Sequence, residues 1–247
     1  MKYHFLISGI FLIMIAASGI AFGSRIHLVS DLRLPGLTAA IYPITHSGNP
    51  SPTKILPIKF DAQDFNLSCE VATLKMALTH YGLTVDELTL SENMGIDWRM
   101  QYRNREGVTH WADPDQVFVG NPDGKQFQDG YGVHWDPILR VARLYRPASL
   151  IQNGKIADIA RRIDAGQPVI IWGYYGPGDE RSWTTWDGER VDAIKFEHTY
   201  LAIGYSGPAE APTGIYMLNP KTGKEYMDSD KFIKMWDYYE RHGVVVE

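Results

Sequence analysis

Four side chains in this 247-residue sequence have the types and order needed for nucleophilic chemistry: Gln63, Cys69, His198 and Asn219. Cys69 is the single cysteine. A thiol that attacks a carbonyl needs a base for its proton, a group to orient that base, and donors for the oxygen that becomes negative. His198 is the candidate base and Asn219 its orienting group. Gln63, six residues before the cysteine, is the candidate oxyanion donor together with the backbone N–H of Cys69. The helix expected to begin here helps the sulfur, because free N–H groups of a first turn and the positive end of the dipole favour a thiolate. Each residue also has a plainer reading. A free cysteine is usually buried and structural, His198 alone is a strand histidine, Asn219 before Pro220 is a strand exit, and Gln63 is a surface glutamine. The case for catalysis rests on the combination.

The elements that must position these residues are readable in outline. Residues 55–60 form a short strand, and Pro57 places it at an edge. Ser68 can cap a helix in which Val71, Leu74, Leu78 and Tyr81 recur at helical spacing, with Gly82 where a C′ glycine belongs. A second helix covers 84–94, and 95–133 is a long irregular region rich in Gly, Asp, Asn, Pro and Trp. Helices follow over 136–145 and 156–165, the latter closed by Gly166. Residues 168–174 are a buried strand. A polar stretch, 176–192, carries Trp183 and Trp186, which suit either a flap over substrate or a long hairpin. Residues 196–205 alternate, with His198, Tyr200 and Ala202 on one face. Residues 214–219 form the next strand, and 231–239 a last helix. Helices first and strands later indicate an α+β domain.

Pairing the strands at 198–204 and 213–219 antiparallel, with Gly204 opposite Thr213, sets His198 beside Asn219. The Asn carbonyl would then accept the Nδ1–H of His198 and fix its tautomer. A slip of one residue would break this.

Taken together and in order, these residues resemble the C39-like cysteine peptidases of the papain-like superfamily. The likeness spans roughly 55–240. It includes the Gln63 to Cys69 spacing, the helix from Cys69 to Leu78, Gly130-Tyr131-Gly132-Val133, Gly166-Gln167-Pro168-Val169-Ile170-Ile171-Trp172, Glu197-His198-Thr199 and Leu218-Asn219-Pro220. The resemblance implies a papain-like fold, with the Cys69 helix packed on an antiparallel sheet bearing His198 and Asn219, and hydrolysis of peptide bonds. Two departures stand out. Many members have Gly-Pro after the cysteine where this chain has Glu70-Val71, and many have Asp where this chain has Asn219. Glu70 sets a negative charge beside Cys69, against the dipole.

Composition bounds the rest. A hydrophobic content of 45% with 21% charged residues describes a folded protein. Net charge is −5 without a basic block, so nucleic acid is not an expected partner. No His-x-x-x-His or paired-Cys spacing signals a metal, and no cofactor is implied. His134 reads as structural, with lining of the cleft as its alternative. Asn121-Pro122-Asp123-Gly124 reads as a turn rather than a calcium loop. Residues 5–22 are an uncharged apolar run. Two readings stand: a signal peptide with Ala21-Phe22-Gly23 as its cleavage site, or a membrane anchor. Either makes the chain extracytoplasmic, with residues 1–23 as the export segment, 24–52 as a linker and 53–247 as the peptidase domain. The expected function is an exported or membrane-anchored cysteine peptidase or related amide hydrolase acting on peptide-like substrates. The alternatives are a catalytically inactive module that binds a peptide or cell-wall ligand, and acyl transfer in place of hydrolysis.

Overall fold

A computed structural model describes residues 49–247. The expected export segment and the linker up to residue 48 lie outside these residues. No helix among the described residues is long and apolar enough to cross a membrane.

The elements run in chain order from β1 (Lys54–Ile55) through α1 (Cys69–His80) and α2 (Glu87–Met94) to four two-residue strands, β2 (Ile96–Asp97), β3 (Tyr102–Arg103), β4 (Thr109–His110) and β5 (Phe118–Val119). Next come α3 (Trp135–Tyr145), β6 (Ala148–Ile151), α4 (Ile156–Asp164), β7 (Val169–Tyr174), β8 (Glu180–Thr184) and β9 (Arg190–Ile194). The chain ends with β10 (Glu197–Ser206), β11 (Gly214–Asn219), β12 (Gly223–Asp228), α5 (Ser229–Asp237) and β13 (Gly243–Val246). The main sheet has the order β12-β11-β10-β7-β13-β6, with β1 added to β10. Its strand pairs are all antiparallel. Strands β3, β4, β8 and β9 form a smaller sheet. This is the α+β architecture the sequence indicates.

The core explains the sequence pattern. Every residue of β10 is buried, because β7 and β11 flank it and α1 and α4 pack against it. The apolar run Val169-Ile170-Ile171-Trp172 is fully buried for the same reason. Helix α1 is buried nearly all round rather than on one face, from Cys69 through Leu74 and again over Met76, Ala77 and Leu78. Ser68 precedes α1 without capping it. Its hydroxyl oxygen accepts instead from Phe65 N at 3.2 Å, and its hydrogen goes to Glu87 Oε2 at 2.5 Å. Gly82 takes φ 79°, as the expected helix stop requires.

Several expectations change. The strand expected over 55–60 stops after Ile55 in β1, because Pro57 has no N–H to donate. Helix α2 starts at Glu87, not Thr84, capped by Asp86, whose side chain accepts from Thr89 N at 2.9 Å. The polar stretch 176–192 contains the β8–β9 hairpin. Trp183 is buried there and donates to Ala112 O at 2.8 Å, beside Trp111 and Tyr131, so it is a core residue and not a flap. Trp186 Nε1 donates to Asp97 Oδ2 at 2.8 Å and Arg99 lies over its ring. At 121–124 there is a turn, closed by Gly124 N to Asn121 O.

Trp172 ties the core to the segment beside the cysteine. Its Nε1–H donates to Val133 O at 2.9 Å, deep in the interior. We expect Trp172→Phe to lower the unfolding free energy by about 2–4 kcal/mol, from lost packing plus an unpaired carbonyl. Urea denaturation measures it, and a change within experimental error would show that the bond is dispensable.

Candidate active site

Cys69 sits on the first turn of α1, in front of β10. The preceding loop is held by polar contacts. Gln63 N donates to Pro220 O at 3.0 Å, and Asp64 N to the buried Glu87 carboxylate at 3.1 Å. His198 is buried near the start of β10, opposite Gly173 of β7. The turn into that strand puts Phe196 at φ 67°, a conformation rare for a bulky side chain. It is fixed by its N–H donating to Gln126 Oε1 at 2.7 Å. Cys69, Glu197 and His198 line one cavity of about 440 Å³, with Tyr131, Tyr175 and Lys221 among its other walls.

His198 Nε2 lies 2.8 Å from Asn219 Oδ1. Asn219 cannot present its nitrogen there. Its Nδ2 donates to Glu225 Oε1 at 2.9 Å, and its Oδ1 also accepts from Lys221 N at 2.9 Å. The oxygen therefore faces His198, so Nε2 carries the proton and Nδ1 holds the lone pair. Nδ1 is buried and has no partner among the described residues. The sequence expectation named the wrong ring nitrogen, Nδ1 instead of Nε2, as the one facing Asn219.

The contact also arises from a different register. Ser206 pairs with Gly214 and Gly204 with Tyr216, three residues displaced from the expected ladder. A bulge at Ile203 absorbs one residue, so Leu201 pairs with Leu218, displaced by two. A displacement of two preserves the face. Continued one step, it sets Asn219 opposite Tyr200, on the face shared with His198, and the side chains meet diagonally.

Gln63 is not where an oxyanion donor should be. Both amide hydrogens are engaged, with Phe65 O at 2.6 Å and Asn66 O at 2.9 Å, so the group closes its own turn. It lies in a shallow depression with Pro220 and Lys221, outside the Cys69 cavity. The remaining oxyanion donor is the Cys69 N–H, free as the first of its helix.

The electrostatics also depart from expectation. The Cys69 thiol donates to Glu70 Oε2 at 3.3 Å. Glu70 is fully buried, and its Oε1 accepts from Val133 N at 2.8 Å. Gly132, at φ 138°, has to be glycine, since a Cβ would collide with Glu70 Oε1. Glu197 is buried beside them, and its Oε1 makes no hydrogen bond among the described residues. Cys69 Sγ and the carboxylate oxygens of Glu70 and Glu197 all lie within 4.8 Å of one another. Burial, then Glu70, then Glu197 push the Cys69 thiol well above its usual value. Burial lifts Glu70 to about 7, and burial with the Glu70 charge lifts Glu197 well above the carboxylate range. Burial drops His198 to about 4 despite Asn219. The expected thiolate is thus corrected. A helix dipole contributes about 0.3–1 kcal/mol, whereas full burial displaces a pKa by up to about 3–5 units, so burial wins. The resting pair is a neutral thiol and a neutral imidazole.

Sequence reasoning noted Glu70 as a nearby charge and missed the buried carboxyl pair it forms with Glu197. No spacing rule connects residues 70 and 197; only the packing of α1 on β10 does. His134 lies elsewhere. Its Nδ1 meets Asp115 Oδ1 at 2.8 Å, and it lines a separate cavity of about 630 Å³.

The family model for the Peptidase_C39 like family matches residues 55–244. Among solved structures, a candidate C39-like peptidase from Bacillus anthracis is 26% identical, with a TM-score of 0.65, over 78% of this chain and 97% of that one. The peptidase domain of Streptococcus ComA, a bifunctional ABC transporter of a quorum-sensing pathway, is 13% identical with a TM-score of 0.47, over 76% of this chain and 98% of that one. A double glycine motif protease of an AMS/PCAT transporter, solved with a leader peptide, is 14% identical with a TM-score of 0.44, over 78% and 92%. No curated protein matches the chain. With a cysteine-bearing helix packed on an antiparallel sheet, and with the family match covering well over half its length, this chain belongs to the Peptidase_C39 like family and has the papain-like cysteine peptidase fold.

Proposed function

We propose that this protein is a thiol peptidase, or a related amide-bond hydrolase, acting on peptide or peptide-like substrates through Cys69, His198 and Asn219. The supporting observation is the unshared Nδ1 lone pair of His198, held by the Nε2 bond to Asn219 Oδ1 at 2.8 Å and lining the same cavity as Cys69. A substrate carbonyl entering the cavity meets the neutral pair. The Cys69 S–H turns from Glu70 to His198 Nδ1 and gives up its proton as sulfur bonds to the carbonyl carbon. The carbonyl oxygen takes the negative charge against the Cys69 N–H. The imidazolium passes its proton to the leaving amine, the C–N bond breaks, and a thioester remains. Water then attacks, its proton going first to Nδ1 and from there to the departing sulfur. With water excluded, an amine in its place gives acyl transfer.

The test is incubation with a mixture of unstructured peptides, read by mass spectrometry against Cys69→Ala. New termini that appear only with the cysteine support the reading. A second reading, a binding module without catalysis, is favoured by the thiol's bond to Glu70 at 3.3 Å and its raised pKa. Iodoacetamide separates the two: slow labelling at every pH with no cleavage identifies the module.

Asn219→Ala is expected to lower kcat by about 10–100-fold with KM little changed, because His198 loses the acceptor that fixes its tautomer. Steady-state kinetics on any cleaved peptide measures this, and an unchanged kcat would remove Asn219 from the mechanism.

The same proposal puts the chain outside the cytoplasm, by way of the apolar run 5–22. Cell fractionation with N-terminal mass spectrometry tests it. A chain beginning at Met1 in the soluble cytoplasmic fraction would refute it.

A further inference from the structure

The cysteine's surroundings carry more negative-going groups than acyl chemistry requires. Cys69 Sγ, Glu70 and Glu197 offer three ligand atoms within 4.8 Å of one another, all from buried residues. No lysine, arginine or histidine nitrogen lies within ion-pairing distance of Glu70 or Glu197 among the described residues. Two buried polar atoms here lack a hydrogen-bond partner among the described residues: Glu197 Oε1, on a residue 5% exposed, and His198 Nδ1, on a residue 1% exposed. Buried polar atoms are seldom left unsatisfied, so a pair of them on one cavity marks a place built for a ligand. Three donors that become anionic on losing their protons, one of them sulfur, specify a cation, and the sulfur selects a borderline or soft one over magnesium or calcium.

We propose that Cys69, Glu70 and Glu197 bind a divalent cation of the zinc class, and that the bound ion masks the thiol. Zinc takes thiolate at about 2.3 Å and carboxylate oxygen at about 2.0–2.2 Å, in a tetrahedron whose ligands stand about 3.3–3.8 Å apart. The Cys69 to Glu70 separation of 3.3 Å already fits. The widest separation in the set must close by about 1 Å, within reach of a carboxylate rotation. The fourth position faces the cavity and takes a water. On binding, the thiol proton and any proton held by the carboxyl pair leave to solvent, and nothing is oxidised or reduced. The masking of activity rests on Cys69 being the nucleophile of the proposed peptidase; the binding itself does not.

The experiment titrates the reduced full-length protein with Zn²⁺ against a chromophoric chelator, with Mg²⁺ as control, and follows iodoacetamide labelling of Cys69 in parallel. The expected result is one Zn²⁺ per chain, protection of Cys69 by Zn²⁺ and not by Mg²⁺, loss of binding in Cys69→Ala, and affinity weakened about tenfold or more in Glu197→Gln and in Glu70→Gln. X-ray absorption of the zinc-loaded wild type needs no variant and should report one sulfur with oxygen ligands. Absence of binding, or zinc held equally well by both glutamine variants with a sulfur–nitrogen ligand set, overturns the proposal, since the ion would then sit on Cys69 and His198 alone. Binding as described in a protein that cleaves no peptide leaves the metal site standing and removes the peptidase reading.

Discussion

Peptide hydrolysis should fall by about a thousandfold or more in kcat/KM when His198 is replaced by glutamine. Gln keeps much of the volume and can still donate to Asn219 Oδ1, so the wall of the cavity stays intact while the base is removed. His134→Gln is the informative control. His134 resembles a catalytic imidazole in isolation: Asp115 Oδ1 stands 2.8 Å from its Nδ1, and its Nε2 is buried without a partner among the described residues. A carboxylate partner is even the stronger orienting group. What distinguishes the two is location. His134 lines the cavity that holds Arg181, Arg190 and Tyr239, whereas His198 shares its cavity with the thiol. Tyr131 of one cavity meets Tyr239 of the other, hydroxyl to hydroxyl at 3.2 Å. Kinetics should therefore show a large loss in the first variant and a loss of less than about threefold in the second. Equal effects would show that proximity to sulfur does not decide which imidazole works.

The sequence carried the fold where burial writes a simple pattern. The run 169–172 and the alternation of 196–205 read as strands because each lies in the middle of the sheet, and 136–145 and 156–165 read as helices because each has one apolar face. Strand β12, Gly223-Lys224-Glu225-Tyr226-Met227-Asp228, was illegible: it is an edge strand with mixed burial and no apolar run to mark it. Strand β13 did leave a signal, Val244-Val245-Val246, at the extreme end of the chain, and its place between β7 and β6 could not be told from pattern. The meeting of His198 and Asn219 shows how a contact can be inferred through a faulty register. Loop length fixed neither the three-residue displacement nor the bulge, yet the two left an even shift, and the side chains kept their face. Gln63 shows the reverse. Its spacing suited an oxyanion donor, but two carbonyls of its own turn are nearer and claim both hydrogens.

Removing the Glu70 charge should make Cys69 more reactive, the opposite of what substitution beside a nucleophile usually does. In Glu70→Gln, with a chelator present, iodoacetamide labelling at pH 8 should quicken by about tenfold, which corresponds to one unit of thiol pKa. The effect depends on pH in a definite way. Glu70 titrates near 7 when folded, so above that value its charge opposes the thiolate and below it the charge is gone. Wild type and variant should then converge below about pH 6, a crossover that a mere loosening of the site would not produce. Stability follows from the same shift. A carboxyl raised from 4.5 to about 7 by folding binds its proton more tightly in the native state, so its contribution is complete below about pH 4.5 and is lost as pH rises through 7. His198, lowered from 6.5 to about 4, works against the fold in the other direction, as pH falls below its unfolded value. Glu70→Gln should reduce the alkaline loss to the share that the buried Glu197 still contributes and leave the acid one, measurable as a melting temperature that declines less steeply between pH 5 and 8. A variant that gains reactivity without this change in the pH–stability curve would show that Glu70 restrains Cys69 by its hydrogen bond and not by its charge.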